Sequence, residues 1–124
     1  PIRVHSRKEI PVVLKGVWKG IRALWLIPDQ TVISESLVRY IIKQAIANNV
    51  AVVGYNRFFY DSGAGMVMVM DYHRIGRQVA RLCIERMAGK ACRPQIPDYR
   101  ILLNPTVLEK IGLPYTTISE NTEE

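Results

Sequence analysis

The chain has 124 residues, 48% of them hydrophobic and 23% charged, with a formal net charge of +6. That length suits one compact domain with its own core and no need of metal or disulfide staples. The composition excludes disordered, fibrous and collagen-like chains, and no run approaches the roughly 18 apolar residues of a membrane-crossing helix. Residues 1–50 carry eight basic and three acidic side chains, and the remainder carries nine and eight. The positive excess is spread along the first half with no block of like charge, so it reads as solvated surface and indicates no nucleic-acid partner.

Period-2 and period-3.6 patterns alternate along the chain. Ile2 to His5 alternates like a half-buried edge strand. Ser6 and Glu9 have capping-box spacing, and Ile10, Val13, Leu14, Val17 and Trp18 then share one helical face, with Gly20 as the stop. Ala23 to Ile27 is a continuous apolar run, as expected of a strand covered on both faces. Pro28 to Thr31 forms the loop at its end. Leu37, Val38, Ile41, Ile42, Ala45 and Ile46 predict a helix stopped by Asn48 and Asn49. Ala51 to Tyr55 reads as another buried strand, Arg57 to Gly65 as a long loop, and Met66 to Met70 as a further strand. Asp71 caps the next helix, which is expected to turn Ile75, Val79, Leu82, Cys83 and Met87 inward and to end at Gly89. Tyr99 to Leu103 is strand-like, and Pro105 opens a short helix closed by Gly112. The fold class that follows is α/β: a three-layer α/β/α arrangement with a mainly parallel sheet over residues 1–117. Residues 118–124, with three glutamates, read as a disordered acidic tail.

The two cysteines lack CxxC spacing and make no disulfide scaffold. Cys83 reads as a buried small hydrophobe and Cys92 as exposed. His5 and His73 have no Cys, Asp or Glu at metal-ligand spacing, so solvated or packed histidine is the favoured reading and no metal is expected. The chain has no GxSxG elbow, P-loop or GxGxxG, and Gly63-Ala64-Gly65 precedes a strand where a phosphate loop precedes a helix. No catalytic residue and no cofactor is expected. A receiver domain would need clustered carboxylates and a late-strand lysine that this pattern lacks. Arg74, Arg77 and Arg81 share a helical stripe that Glu85 continues, which reads as a solvated face.

In a parallel sheet, ligands sit outside the C-terminal ends of the strands. The loops there are Pro28–Thr31, Tyr55–Asp61 and Asp71–Tyr72. The second of them packs Tyr55, Asn56, Arg57, Phe58, Phe59, Tyr60 and Asp61 into seven residues. Aromatic faces with a few orienting polar groups suit a small-ligand cleft, and an aromatic plug over the sheet edge is the competing reading.

These stretches resemble a known family. Ala23 to Ser34, Val50 to Asn56, Gly63-Ala64, Val69 to Tyr72 with Ile75 to Ala80, and Tyr99 to Asn104 match, in order and spacing, the C-terminal part of ABC-transporter substrate-binding proteins of the tryptophan/tyrosine type. The resemblance implies one lobe of a type I periplasmic-binding-protein fold, a two-lobed protein that closes by a hinge on a small ligand of amino-acid-like chemistry. It implies an ABC permease as partner and a periplasmic or extracytoplasmic, membrane-associated location. Segment 66–90 is then expected to pack on the other lobe, and this chain alone to form a homo-oligomer through the apolar face so exposed. Carried over residue by residue, Asp29, Thr31, Asn56 and Asp71 line the cleft, with Tyr55 or Phe58 stacking on a ligand ring. Asp29 or Asp71 would hold an ammonium group and Asn56 a carboxylate or polar head. The chain departs from the family in its aromatic Asn56-Arg57-Phe58-Phe59 loop and in Gln30, where Asn is common. The sugar-responsive repressors share this fold, so the effector or sensor domain of a transcription or signalling regulator is the alternative, and an enzyme of flavodoxin-like fold the third.

Overall fold

The computed structural model describes residues 1–30 and 34–115. The predicted tail and Thr31 lie outside them. Nine elements alternate along the described residues: α1 (Ile10–Val17, with a 3-10 turn over Trp18–Gly20), β1 (Ala23–Trp25), α2 (Glu35–Ala47), β2 (Ala51–Gly54), α3 (Arg57–Asp61), β3 (Met66–Met70), α4 (Tyr72–Met87), β4 (Tyr99–Leu103) and α5 (Pro105–Lys110). The four strands lie in the order β1-β2-β3-β4. The first three are parallel, and β4 runs antiparallel to β3. This is the expected α/β class with a mainly parallel sheet.

Period-2 alternation divides the strand side chains between two faces. On the inner face Leu26, Val52 and Val67 meet Ile10, Leu14 and Trp18 of the first helical segment, Val38, Ile41, Ile42 and Ala45 of α2, and Phe59 of α3. Three helical segments therefore share one core. On the outer face, register aligns Trp25, Val53, Met66 and Leu103 in one row across all four strands. Helix α5 covers one end of that face, where Leu108 and Ile111 pack with Ala51 and Leu103.

The structure departs from the sequence expectation at five places. Ile2 to His5 forms no strand. Glu9 reaches back to the His5 N–H at 3.0 Å and to the Ser6 hydroxyl at 3.3 Å, so the pair closes a turn ahead of the helix, which starts at Ile10. The Ala23 to Ile27 run is not covered on both faces: β1 is an edge strand, Trp25 is 65% exposed and Ile27 58% exposed. Arg57 to Asp61 is a helix rather than loop, because the Asn56 side chain caps it and Arg57 pairs with Asp61 at 3.2 Å one turn on. Finally, α4 buries no residue: Val79 and Met87 are exposed, and Cys83 is exposed rather than buried. Its amphipathic pattern is real, and hydrogen bonds tie the helix to the returning segment of residues 92–98. There Cys92 donates to the Leu82 carbonyl at 3.3 Å and Gln78 bridges Ile96 and Asp98.

Candidate functional site

The C-terminal ends of β1, β2 and β3 form one edge of the sheet, and the sequence-predicted residues fall along it. Asp29 is exposed in the loop after β1. Thr31 lies outside the described residues. Tyr55 and Asn56 follow β2 directly, Phe58 sits on α3, and Asp71 follows β3. The structure thus brings four loop and helix starts to one edge. The cavity beside β1 includes Asp29 but none of Tyr55, Asn56, Phe58 and Asp71, and the cavity at the opposite end of the sheet includes none of the five.

Asn56 is extended, and its Oδ1 accepts the Phe59 N–H at 3.2 Å, which satisfies a first-turn donor of α3. The next turn drops Phe59 into the core, only 2% exposed, over Gly54. A Cβ at Gly54 would fall 2.7 Å from Phe59 Cδ1, so this position has to be glycine for the ring to lie there. Phe59 is therefore a plug, as the competing reading of the aromatic loop holds. Tyr55 is half-buried with its ring 4.7 Å from that of Phe59, and Phe58 meets Phe59 edge-on at 6.0 Å.

Phe58 is half-buried and already has a partner on one face. The guanidinium of Arg39, from α2, stands 4.9 Å over its ring. A ligand ring stacking on Phe58 would use the other face or displace Arg39, a cation–π contact worth about 0.5–1 kcal/mol where solvent reaches it. Arg57 similarly covers Tyr60 at 5.1 Å.

Asp71 is the most tightly engaged of the predicted residues. Its Oδ1 accepts the Arg74 N–H at 3.0 Å and caps α4. Its Oδ2 lies 3.8 Å from Arg74 Nε and 3.7 Å from Arg100 Nε. The Arg74 N–H bond is the largest influence holding this carboxyl below its ordinary 3.8; partial burial opposes it, and the two guanidiniums and the His73 N–H add to the lowering. Two guanidiniums thus already engage the Asp71 carboxylate that was a candidate for a ligand ammonium, and Asp98 lies beside it. Arg39 and Arg100 were not singled out from sequence. Arg100 reaches Asp71 only because β4 returns antiparallel and pairs Arg100 with Val69.

Among the described residues, no three His, Cys, Asp or Glu side chains come together as metal ligands. No helix among them is long and apolar enough to cross a membrane.

No protein-family model matches the chain, and no curated protein matches it. Solved structures do. The ligand-free, open structure of a substrate-binding protein with adhesive properties from Clostridium difficile aligns at TM-score 0.70 and 18% identity. The chain has the fold of part of a substrate-binding protein. It covers 94% of itself and 40% of that neighbour. A conserved domain protein from Vibrio cholerae O1 biovar El Tor aligns at TM-score 0.62 and 19% identity, over 92% of this chain and 39% of the other. An ABC domain in complex with L-Trp from Streptococcus pneumoniae aligns at 0.61 and 15%, over 90% and 38%. The chain therefore spans about two-fifths of the length of each of these three proteins.

Proposed function

We propose that the chain is the C-terminal lobe of a two-lobed solute-binding protein and holds a small, amino-acid-like ligand against the C-terminal edge of its sheet. The observation that carries this reading is the likeness, over 90% of the chain, to an ABC domain in complex with L-Trp. That likeness joins an edge that presents a carboxylate, an amide, aromatic rings and a guanidinium pair on separate strand ends. Asp29 is the residue for the ligand ammonium. The Asn56 amide and the guanidiniums of Arg74 and Arg100 beside Asp71 suit the carboxylate, and Tyr55 or Phe58 flanks a side chain. Charge-assisted hydrogen bonds of this kind contribute about 1.5–3 kcal/mol each. The edge is half of a cleft in this reading, and a second lobe closes it by hinge motion. The protein acts outside the cytoplasmic membrane, delivers its ligand to an ABC permease, and catalyses nothing. The unburied α4 fits a helix that packs on the other lobe, and this chain alone self-associates through it.

Calorimetry on the full-length protein with L-tryptophan and a panel of other amino acids tests the reading. The variants are Asp29→Asn, Asn56→Asp and Asp71→Asn, chosen because the last two keep a capping oxygen. Saturable binding weakened about tenfold or more by Asp29→Asn is the expected result, as loss of one such bond requires. Undiminished affinity in all three variants would show that the site is elsewhere.

A further inference from the structure

Lys8, Lys15 and Lys19 stand too far apart in sequence to form a block of like charge, yet α1 gathers them onto one side. Ile10, Leu14 and Trp18 turn into the core. On the opposite side Lys8, Val12, Lys15 and Lys19 follow at i, i+4, i+7 and i+11, which places them in one narrow arc of a 3.6-residue helix. Lys8 stands in the turn ahead of α1 and Lys19 in the 3-10 turn behind it, so the stripe is about 16 Å long. All four residues are exposed, Val12 to 74%. At Lys19 the stripe meets an open groove of about 550 Å³ whose lining includes Arg22, Asn48, Asn49 and Lys110.

These cations are not neutralised within the chain. Among the described residues, no ion pair includes the side chain of Lys8, Lys15, Lys19, Arg22 or Lys110. The acidic side chains of the first fifty residues serve elsewhere: Glu9 bonds to His5 and Ser6, Asp29 follows β1, and Glu35 opens α2. Glu109, which also lines the groove, accepts the Tyr115 hydroxyl at 3.0 Å. Helix dipoles do not account for the stripe either. A helix C-terminus favours Lys15 and Lys19, but Lys8 stands at the N-terminal end, where a cation is disfavoured and no acidic residue occupies the first turn.

The stripe joins charge to an apolar centre, because Val12 sits among the lysines. A lysine stem is itself apolar and lies along an apolar surface while its ammonium stays in water. A surface that is anionic above and apolar below takes both features, and an anionic phospholipid bilayer is such a surface. A polyanion without an apolar phase would use the charge and leave Val12 in water. The stripe also carries no aromatic side chain on which a nucleic-acid base could stack.

We infer that α1 docks on an anionic phospholipid surface through Lys8, Lys15 and Lys19, with Val12 against the headgroup–acyl boundary and the groove beside Arg22 and Lys110 taking a phosphate headgroup. The stripe faces away from the core, so docking there leaves the C-terminal edge of the sheet open. Each lysine or arginine close to an anionic membrane raises affinity about fivefold. The contacts are weak one by one and act together, and salt screens them.

Cosedimentation of the dilute 124-residue chain tests this with vesicles of phosphatidylcholine alone and of phosphatidylcholine with about 30% phosphatidylglycerol. The expected result is binding to the second kind only, lost as salt is raised from about 0.05 to 0.5 M. Lys15→Gln with Lys19→Gln should weaken that binding about 25-fold. Arg77→Gln with Arg81→Gln, which removes the same charge from exposed positions on α4, should change it less than about twofold. Val12→Trp should strengthen it several-fold and leave binding to heparin unchanged. All of these positions are exposed, so urea midpoints should stay at the wild-type value. Equal losses in the α1 and α4 pairs overturn the inference, because net charge alone would then account for binding. Absence of binding to the phosphatidylglycerol vesicles at low salt overturns it as well. So does heparin binding that needs Lys15 and Lys19 alongside vesicle binding that does not, which makes the stripe a polyanion site. No amino acid enters the experiment, so its outcome is separate from that of the calorimetry.

Discussion

Gly54 and Phe59 offer a sharp test of how the candidate edge is built. A methyl group at Gly54 lands on the Phe59 Cβ and 2.7 Å from its Cδ1, with the ring held in a closed core. Two responses are open to Gly54→Ala. The α3 turn can ride up on β2 with the ring still buried, an overpacking cost of about 1–3 kcal/mol. Alternatively the ring leaves the core, at about 3–5 kcal/mol, as for Phe→Ala. The lower unfolded-chain entropy of alanine returns about 0.4–1 kcal/mol. Across the two responses the net is a destabilisation of about 1–3 kcal/mol, which at a slope of about 2 kcal/mol/M moves a urea midpoint by about 0.5–1.5 M. Urea denaturation followed by far-UV circular dichroism reads this directly. The double variant with Phe59→Ala isolates the cause: with the ring gone the methyl has room, so the pair should cost little more than Phe59→Ala alone. A Gly54→Ala protein within about 0.5 kcal/mol of wild type, or strict additivity in the double variant, would refute the account of this corner.

Other consequences can be read on the same apparatus. Asn56→Ala removes the α3 cap and should cost about 1 kcal/mol, while Asn56→Asp should recover most of it. Asp71 titrates lower in the folded chain than its ordinary 3.8, so its stabilising contribution is fully present above that value and is lost as pH falls through the native one. Thermal melts of wild type and Asp71→Asn should therefore differ at neutral pH and converge in acid; a gap that persists unchanged into strong acid would contradict the cap and ion-pair geometry. Ile41→Ala, at a buried position of α2, should cost about 2–5 kcal/mol. Ile84→Lys, on the exposed side of α4, should stay within about 0.5 kcal/mol in the dilute monomeric chain and move its self-association to higher concentration. A large loss in the monomer would mean that the chain itself buries α4.

Much of the architecture was legible in the sequence because periodicity reports which faces of an element are apolar. Strand–helix alternation, the cap at Asp71, Pro105 at the start of α5 and the α2 core face all follow from spacing, and the structure has them. What periodicity cannot report is whether the chain itself supplies the cover. The Ala23 to Ile27 run and the α4 stripe are both apolar enough to be buried, yet β1 is an open edge and α4 buries nothing. Cys83 was misread for that reason. The five-residue α3 is too short to carry a period, although Asn56 three residues before Phe59 was a usable capping signal. Arg100 beside Asp71, and Arg39 over Phe58, depend on strand register and helix docking between residues far apart in sequence. No local pattern encodes either contact.

The proposed function places a small ligand against the C-terminal ends of β1, β2 and β3. A crystal structure of the full-length protein grown with L-tryptophan would locate it. The ligand is expected at that edge, with its ammonium in hydrogen-bond reach of Asp29 and its carboxylate toward Asn56 and the Arg74–Arg100 pair. A ligand bound at the opposite end of the sheet, in the cavity lined by Arg22, Asn48 and Glu109, would contradict it.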